Sequence, residues 1–211
     1  MPEIKMKIRF YHAPDANCCE RLLWILDYKK IAYERIDVGL GDVGEQVRLL
    51  SPFARVPLME VNGIALSESM AMAEFIEEIS PDPPLQYTEA FARAQVREIC
   101  EAVNSSIHPQ QNSSTVRYYH PDWSKEQMRP VRANWLFINL EKLQNRLWLQ
   151  SQFAVGHQFT MADIFVSIIY RKALDLGRLA TELPRYEQHW TFLMSDAEIR
   201  NACPIASQGV S

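Results

Sequence analysis

The chemistry-bearing residues of this chain gather at two helix heads: Cys18-Cys19, opening one apolar helical pattern, and Glu68-Ser69, opening another. A thiol in the first turn of a helix sits among unpaired amide N–H groups and near the positive end of the dipole, which favours thiolate. Cys18 is therefore a candidate nucleophile, or a small apolar packer if it turns inward. Glu68 offers an acceptor and Ser69 a donor at a helix start, where free amides favour an anion. Ser67 or Ser69 would also serve as an ordinary N-cap. Upstream stands Arg55-Val56-Pro57-Leu58. Pro57 either opens an edge strand or stands beside a Val56 backbone that a ligand could pair with as an added strand. A third polar cluster, His108, Gln111, Asn112, Ser113 and Thr115, follows or flanks Pro109. A buried polar helix face needs partners, supplied by a ligand or by the cluster itself. The cysteines Cys18, Cys19, Cys100 and Cys203 form no Cys-x-x-Cys motif and no zinc spacing, so no metal site is expected.

The elements that must carry these residues follow from periodicity. Lys7 to Tyr11 and Ala32 to Val38 alternate as strands. Cys18 to Lys30 has Leu22, Leu23, Ile25 and Leu26 at helical spacing, with Arg21, Lys29 and Lys30 expected outside. Gly39 to Gly44 reads as a loop and Val43 to Leu50 as a short helix. Pro57 to Val61 and Ile64 to Leu66 flank Asn62-Gly63, a hairpin signal. Ser67 to Ile79 reads as a helix with Met70, Ala73, Phe75, Ile76 and Ile79 inward. The prolines of Ser80-Pro81-Asp82-Pro83-Pro84 cannot continue it. Beyond them the pattern is helical: Thr88 to about Tyr118 as one long helix bent near Pro109, Ser124 to Leu149 as another, then Met161 to Leu176, apolar almost all round. Thr160 and Asp163 form a capping box, with Phe159 and Ile164 at the positions of a hydrophobic staple. Short helices near Pro184 and Asp196 end the chain.

Bulk properties narrow the class. A length of 211 residues, with 47% hydrophobic and 23% charged residues, suits a globular chain of one large or two small domains. The net charge of -4 argues against a general nucleic-acid surface but leaves room for a small anion. Met1 to His12 has no apolar signal core, and no run is long and apolar enough to span a membrane. A reduced, cytoplasmic protein with neither nucleic-acid nor membrane partners is the expectation.

An α/β unit, a proline-rich linker and an all-α unit, carrying Arg55-Val56-Pro57, Glu68-Ser69 and Gly156-His157-Gln158-Phe159-Thr160-Met161-Ala162-Asp163, resemble the cytosolic glutathione transferase family over nearly the whole chain. Within it, Ile107-His108-Pro109-Gln110-Gln111-Asn112 is similar to the zeta-class segment Ile-Gln-Pro-Leu-Gln-Asn. Thr160 to Asp163 has the zeta spelling, and Ala202-Cys203-Pro204 is similar to the zeta tail. That class includes maleylacetoacetate isomerases. The resemblance implies a thioredoxin-like α/β domain over 1–80, a linker over 81–87 and an all-helical substrate and dimerisation domain over 88–211. It implies glutathione as co-substrate. The Val56 backbone before cis-Pro57 would pair with the cysteinyl part, Ser69 would donate to a carboxylate, Glu68 would accept from the γ-glutamyl ammonium, and Arg55 would lie beside the ligand. His108, Gln111, Asn112 and Thr115 would supply the subsite for a small electrophile. A homodimer is implied as well.

The catalytic position departs from the family pattern. Zeta chains open their first helix with Ser-Ser-Cys, whose first serine donates to the glutathione sulfur. Here the stretch is Ala16-Asn17-Cys18. Asn17 could donate its amide N–H to the thiolate, or Cys18 could take the role or act as a thiol nucleophile through a mixed disulfide. Asp175 also stands where zeta chains carry an arginine, and Arg21, Arg117, Arg171 and Arg178 remain as cations for a dicarboxylate. Three functions follow: a glutathione-dependent transferase or zeta-type isomerase, a non-catalytic regulator on the same fold, or a Cys18-dependent thiol-disulfide reductase.

Overall fold

A computed structural model describes residues 6–39 and 44–206. The loop expected at Gly39 to Gly44 falls mostly on 40–43, outside the described residues. The chain divides into two units, one of residues up to Pro83 together with those from Asn201, the other Pro84–Arg200.

In the first unit the strands β1 (Ile8–His12), β2 (Glu34–Asp37), β3 (Leu58–Val61) and β4 (Ile64–Ser67) alternate with helices α1 (Asn17–Tyr28), α2 (Gly44–Leu50) and α3 (Ser69–Ile79). The sheet order is β2-β1-β3-β4. β1 and β2 are parallel, which requires a crossover, and α1 supplies it. The other two pairings are antiparallel. Val61 pairs with Ile64 across Asn62 (φ 50) and Gly63 (φ 87), and both positive values suit a tight hairpin turn. This is the thioredoxin-like arrangement expected from the sequence.

Apolar burial fixes α1: Leu22, Leu23, Trp24, Ile25 and Leu26 are all inside, against a sheet that buries Phe10, Leu58 and Met59. Arg21 and Lys29, expected outside, are buried too, and only Lys30 is exposed. The reason for Lys29 is saturation. Its ammonium lies 2.6 Å from the Glu77 carboxylate and donates to the carbonyls of Ser80 (2.6 Å) and Pro83 (2.8 Å). A buried cation survives when every donor finds an acceptor. In α3 the inward residues are Met70, Met72, Ala73 and Ile76, while Ile79, expected inward, is exposed at the last turn.

The second unit is helical: α4 (Ala90–Glu101), a π-helical segment (Ala102–Ile107), α5 (His108–Gln111), α6 (Ser113–Tyr119), α7 (Lys125–Leu143), α8 (Met161–Asp175), α9 (Pro184–Ser195) and, running into the first unit's segment, α10 (Ala197–Ala202). The single long helix expected from Thr88 to Tyr118 is thus three helices and a π segment. Two local causes replace a simple proline bend. The backbone widens before Pro109, and Asn112 is extended at φ -63, ψ 135. α8 is buried almost throughout, from Met161 to Tyr170. Its capping box is formed: the Asp163 carboxylate accepts from the Thr160 N–H (2.8 Å) and hydroxyl (3.0 Å), and also from the Ala154 N–H (2.7 Å). Among the described residues, no helix is long and apolar enough to cross a membrane.

Candidate functional site

In the first unit, the loop before β3 and the head of α3 carry the expected binding residues. The Val56–Pro57 bond is cis. Val56 is partly buried against the cluster of Tyr11, Val47 and Leu58, which fixes the loop to β1 and α2. Arg55 is exposed. At the other side of the β3–β4 hairpin, Glu68 takes φ 75 and ψ 116. A non-glycine residue there costs about 1–3 kcal/mol, and such strain gathers at functional positions. The Glu68 carboxylate is exposed and makes no capping bond, although Glu68 is the N-cap of α3. Ser69 is the first helical residue and is buried. Neither Ser67 nor Ser69 is the N-cap.

The head of α1 separates the two catalytic candidates. Its N-cap is Ala16, which has no side chain with which to cap. Cys18 is partly exposed and its thiol donates to the Val56 carbonyl at 3.5 Å. Asn17 is buried, and neither Oδ1 nor Nδ2 makes a hydrogen bond. Cys19 is buried, and the hydrogen bond to Cys18, followed by burial, pushes its thiol well above the usual range. Cys18 alone of the four cysteines is not buried, and all four are free thiols.

A polar group at the strand ends was not singled out from the sequence. His12 Nδ1 lies 3.0 Å from Asp37 Oδ1 and 3.3 Å from an Arg35 nitrogen. Burial lowers the His12 pKa, opposed by the Asp37 hydrogen bond. The available signal was a histidine closing one strand and an aspartate closing its parallel neighbour.

In the second unit, His108, Gln111, Asn112 and Thr115 lie on α5 and the start of α6. His108, Asn112 and Thr115 are partly exposed, whereas Gln111 is buried. The Gln111 amide donates to Asn112 Oδ1 at 2.9 Å and lies 3.4 Å from His108 Nδ1. From α7, Arg132 Nε donates to the Gln111 carbonyl at 2.5 Å and Arg132 Nη2 to Gln111 Oε1 at 3.3 Å. Trp135 Nε1 donates to the Ile107 carbonyl at 3.0 Å. The cations considered for a dicarboxylate are mostly engaged. Arg178 pairs with Glu182 and Asn134 and covers the Phe137 ring, and Arg171 covers the Trp190 ring. Asp175 sits near Lys172. Among the described residues, no group of His, Cys, Asp and Glu could hold a metal ion.

Comparison with known proteins decides the family. The glutathione S-transferase N-terminal domain matches residues 10–84. A maleylacetoacetate isomerase of Dictyostelium discoideum is 32% identical over 159 residues, 71% of this chain and 71% of the relative. The chain belongs to the glutathione transferase family. Within that family it is most like the zeta class. The solved maleylacetoacetate isomerase of Anaeromyxobacter dehalogenans with bound GSH in the active site aligns at 26% identity and a TM-score of 0.74, covering 98% of this chain and 99% of that one. A bacterial zeta-class maleyl pyruvate isomerase aligns at a TM-score of 0.85 and 22% identity, covering 94% and 98%, a likeness of fold.

Proposed function

We propose that this glutathione transferase conjugates glutathione to small electrophiles in the cytoplasm, with Val56, Glu68 and Ser69 holding the peptide and Cys18 beside its sulfur. The observation that carries the proposal is Glu68. It is held at positive φ, makes no capping bond and stands next to a buried serine at a helix head. A strained carboxylate with no structural task fits the γ-glutamyl ammonium, and Ser69 with the α3 amides fits a carboxylate. Arg55 is a flanking cation. The bound peptide brings the thiol. The chain's own part is to orient it and to lower its pKa with donors aimed at sulfur. Cys18 is better placed than Asn17 for this, because it touches the Val56 carbonyl while Asn17 is enclosed. His108, Asn112 and Thr115 are proposed to meet the electrophile, with Gln111 behind them. The free thiols support a reducing compartment. Exposed Leu49, Phe53, Ile64 and Phe91 support a homodimer, which light scattering tests.

Cis–trans isomerisation, the activity in the names of the curated relatives, is a finer proposal. Asp175 in place of a family arginine makes dicarboxylate binding the weaker expectation, so conjugation leads. A second reading, thiol-disulfide exchange, draws on the same Cys18 exposure: its thiolate would attack a disulfide, and glutathione would resolve the mixed disulfide.

Titration calorimetry with glutathione tests binding, with Ser69→Ala expected to weaken it about tenfold, as for loss of a hydrogen bond to a charged group. Undetectable binding at millimolar glutathione would sink the proposal. Iodoacetamide should alkylate Cys18 first, and glutathione should slow it. Loss of disulfide reduction but not conjugation in Cys18→Ala would favour the second reading.

A further inference from the structure

The head of α1 brings two reduced sulfurs together. Cys18 and Cys19 are the second and third residues of α1, and both are free thiols. Successive side chains on a helix point about 100° apart and do not ordinarily meet. These two do. The Cys19 thiol is hydrogen-bonded to Cys18, and the Cys18 thiol donates to the Val56 carbonyl at 3.5 Å. Cys18 is partly exposed and Cys19 is buried, so the pair has one accessible member and one enclosed member in contact with it.

Geometry decides what such a pair can hold. The peptide between them is trans, since the cis bonds precede Pro57 and Pro83. A trans peptide sets the two Cα atoms about 3.8 Å apart, whereas an unstrained disulfide needs about 4.4–6.8 Å. Direct closure to a disulfide is therefore disfavoured, and the pair stays a dithiol. An atom inserted between the sulfurs lengthens the bridge and relieves the mismatch. That atom must be thiophilic, because both ligands are soft. It must also be satisfied by two sulfurs. Among the described residues, no group of three or more His, Cys, Asp and Glu could hold a metal ion, so zinc, which takes four ligands in closed sites, is short of donors. A monosubstituted trivalent arsenical has two exchangeable positions, and its bent S–As–S unit suits sulfurs already in contact.

We propose that Cys18 and Cys19 form a bidentate site for monosubstituted trivalent arsenicals. Exposed Cys18 takes the first bond, and Cys19 closes the ring. Ala16 puts no side-chain cap on this first turn, so the turn can adjust as the ring closes. Two arsenic–sulfur bonds form, the arsenic–oxygen double bond of the arsenoxide breaks, and both thiol protons leave on that oxygen as water. Nothing is oxidised or reduced. The site needs no glutathione, so the inference stands apart from the proposed function.

Phenylarsine oxide is the probe. The reduced full-length protein, freed of excess reagent before unfolding, should carry one arsenical per chain. Alkylation with iodoacetamide after unfolding should then find both cysteines of the tryptic fragment from Phe10 to Arg21 protected. A chelate resists a monothiol. In Cys19→Ala, which keeps one sulfur of the pair, affinity measured by competition with 2-mercaptoethanol should fall about a hundredfold or more, the gain that joining two ligands gives. Cys18→Ser, changed at a partly exposed position, is the second variant and should fall at least as far. A wild type that takes up no arsenical, or that 2-mercaptoethanol strips as readily as it strips Cys19→Ala, overturns the inference. So does a Cys18→Ser protein that keeps the wild-type affinity, or an arsenical that protects Cys100 or Cys203 instead. If Cys19→Ala does not fold, Cys18→Ser decides alone.

Discussion

The heads of α1 and α3 in the first unit are built differently from those of α4, α7 and α8 in the second. The latter three are closed by side chains, whereas α5, α6 and α9 have no side-chain cap. Glu89 accepts the Phe91 and Ala92 amides at α4, Ser124 and Gln127 cap each other at α7, and Thr160 and Asp163 do so at α8. In the first unit, α1 starts at Ala16 and α3 at Glu68, and neither has a side-chain cap. Open heads leave amides and dipole for something else. Local rules broken without a packing gain point to function, and these two heads are where glutathione is proposed to bind. Closed heads serve stability. The contrast can be broken from either side.

The largest effect should come from opening a closed head. Asp163→Ala removes the acceptor of two amides and a hydroxyl, all buried. An orphaned buried donor costs about 1–3 kcal/mol, so a loss of about 4 kcal/mol is expected by urea denaturation. A loss under about 1 kcal/mol would mean that the box is not what holds α8. Equilibrium calorimetry on whatever variant folds should show little change in glutathione affinity.

How this contrast stood in the sequence depends on distance along the chain. The hairpin was legible because Asn62-Gly63 sets its own backbone, and the α8 box because Thr160 and Asp163 are one turn apart. The open head of α3 was half legible: Glu68-Ser69 marked the place, but the positive φ shows only once β4 has ended at Ser67. Lys29 could not be placed inside from the α1 pattern, because its acceptors at Glu77, Ser80 and Pro83 are remote. The breaks around α5 were hidden for the same reason. The groups that stabilise them, Arg132 and Trp135, sit on another helix, and Pro109 alone suggested only a bend. Asn17 and Cys18, neighbours in sequence, could be ranked only by burial.

A middle-sized effect lies behind the closed head of α8. His189 Nε2 is 3.5 Å from Asp163 Oδ1, both buried, and Nδ1 of His189 pairs with the Gln152 carbonyl at 2.9 Å. Burial disfavours charge on each. It lowers His189 to about 4 and raises Asp163 to about 7, so the contact is a neutral one at mildly acidic pH. The signs oppose. Stability from neutral His189 is present above the unfolded value of 6.5 and is lost as pH falls toward 4. Stability from protonated Asp163 is present below 3.8 and is lost as pH rises through 7. Between roughly pH 4 and 6.5 the two nearly cancel. His189→Gln should uncover the Asp163 slope. Relative to wild type, its stability should fall with rising pH by up to about 1.4 kcal/mol per unit, the value for one proton. Parallel pH profiles for the two proteins would show that the pair is not linked to folding.

The smallest change in stability should come from relaxing an open head, and its sign differs from that of binding. Glu68→Gly removes strain of about 1–3 kcal/mol while adding about 0.5–1 kcal/mol of unfolded-chain entropy. The net is a gain on the order of 1 kcal/mol in unfolding free energy. The same change deletes the proposed partner of the γ-glutamyl ammonium, so glutathione affinity should fall by about tenfold or more. Glu68→Gln separates the two effects. It keeps the backbone strain and an acceptor oxygen but no charge, so stability should stay at the wild-type value and affinity should lie between the other two. A glycine variant that loses stability would show that Glu68 has a packing role after all. One that keeps its affinity would move the ammonium site elsewhere. Only a more stable protein that binds less tightly matches a helix head left open for a ligand.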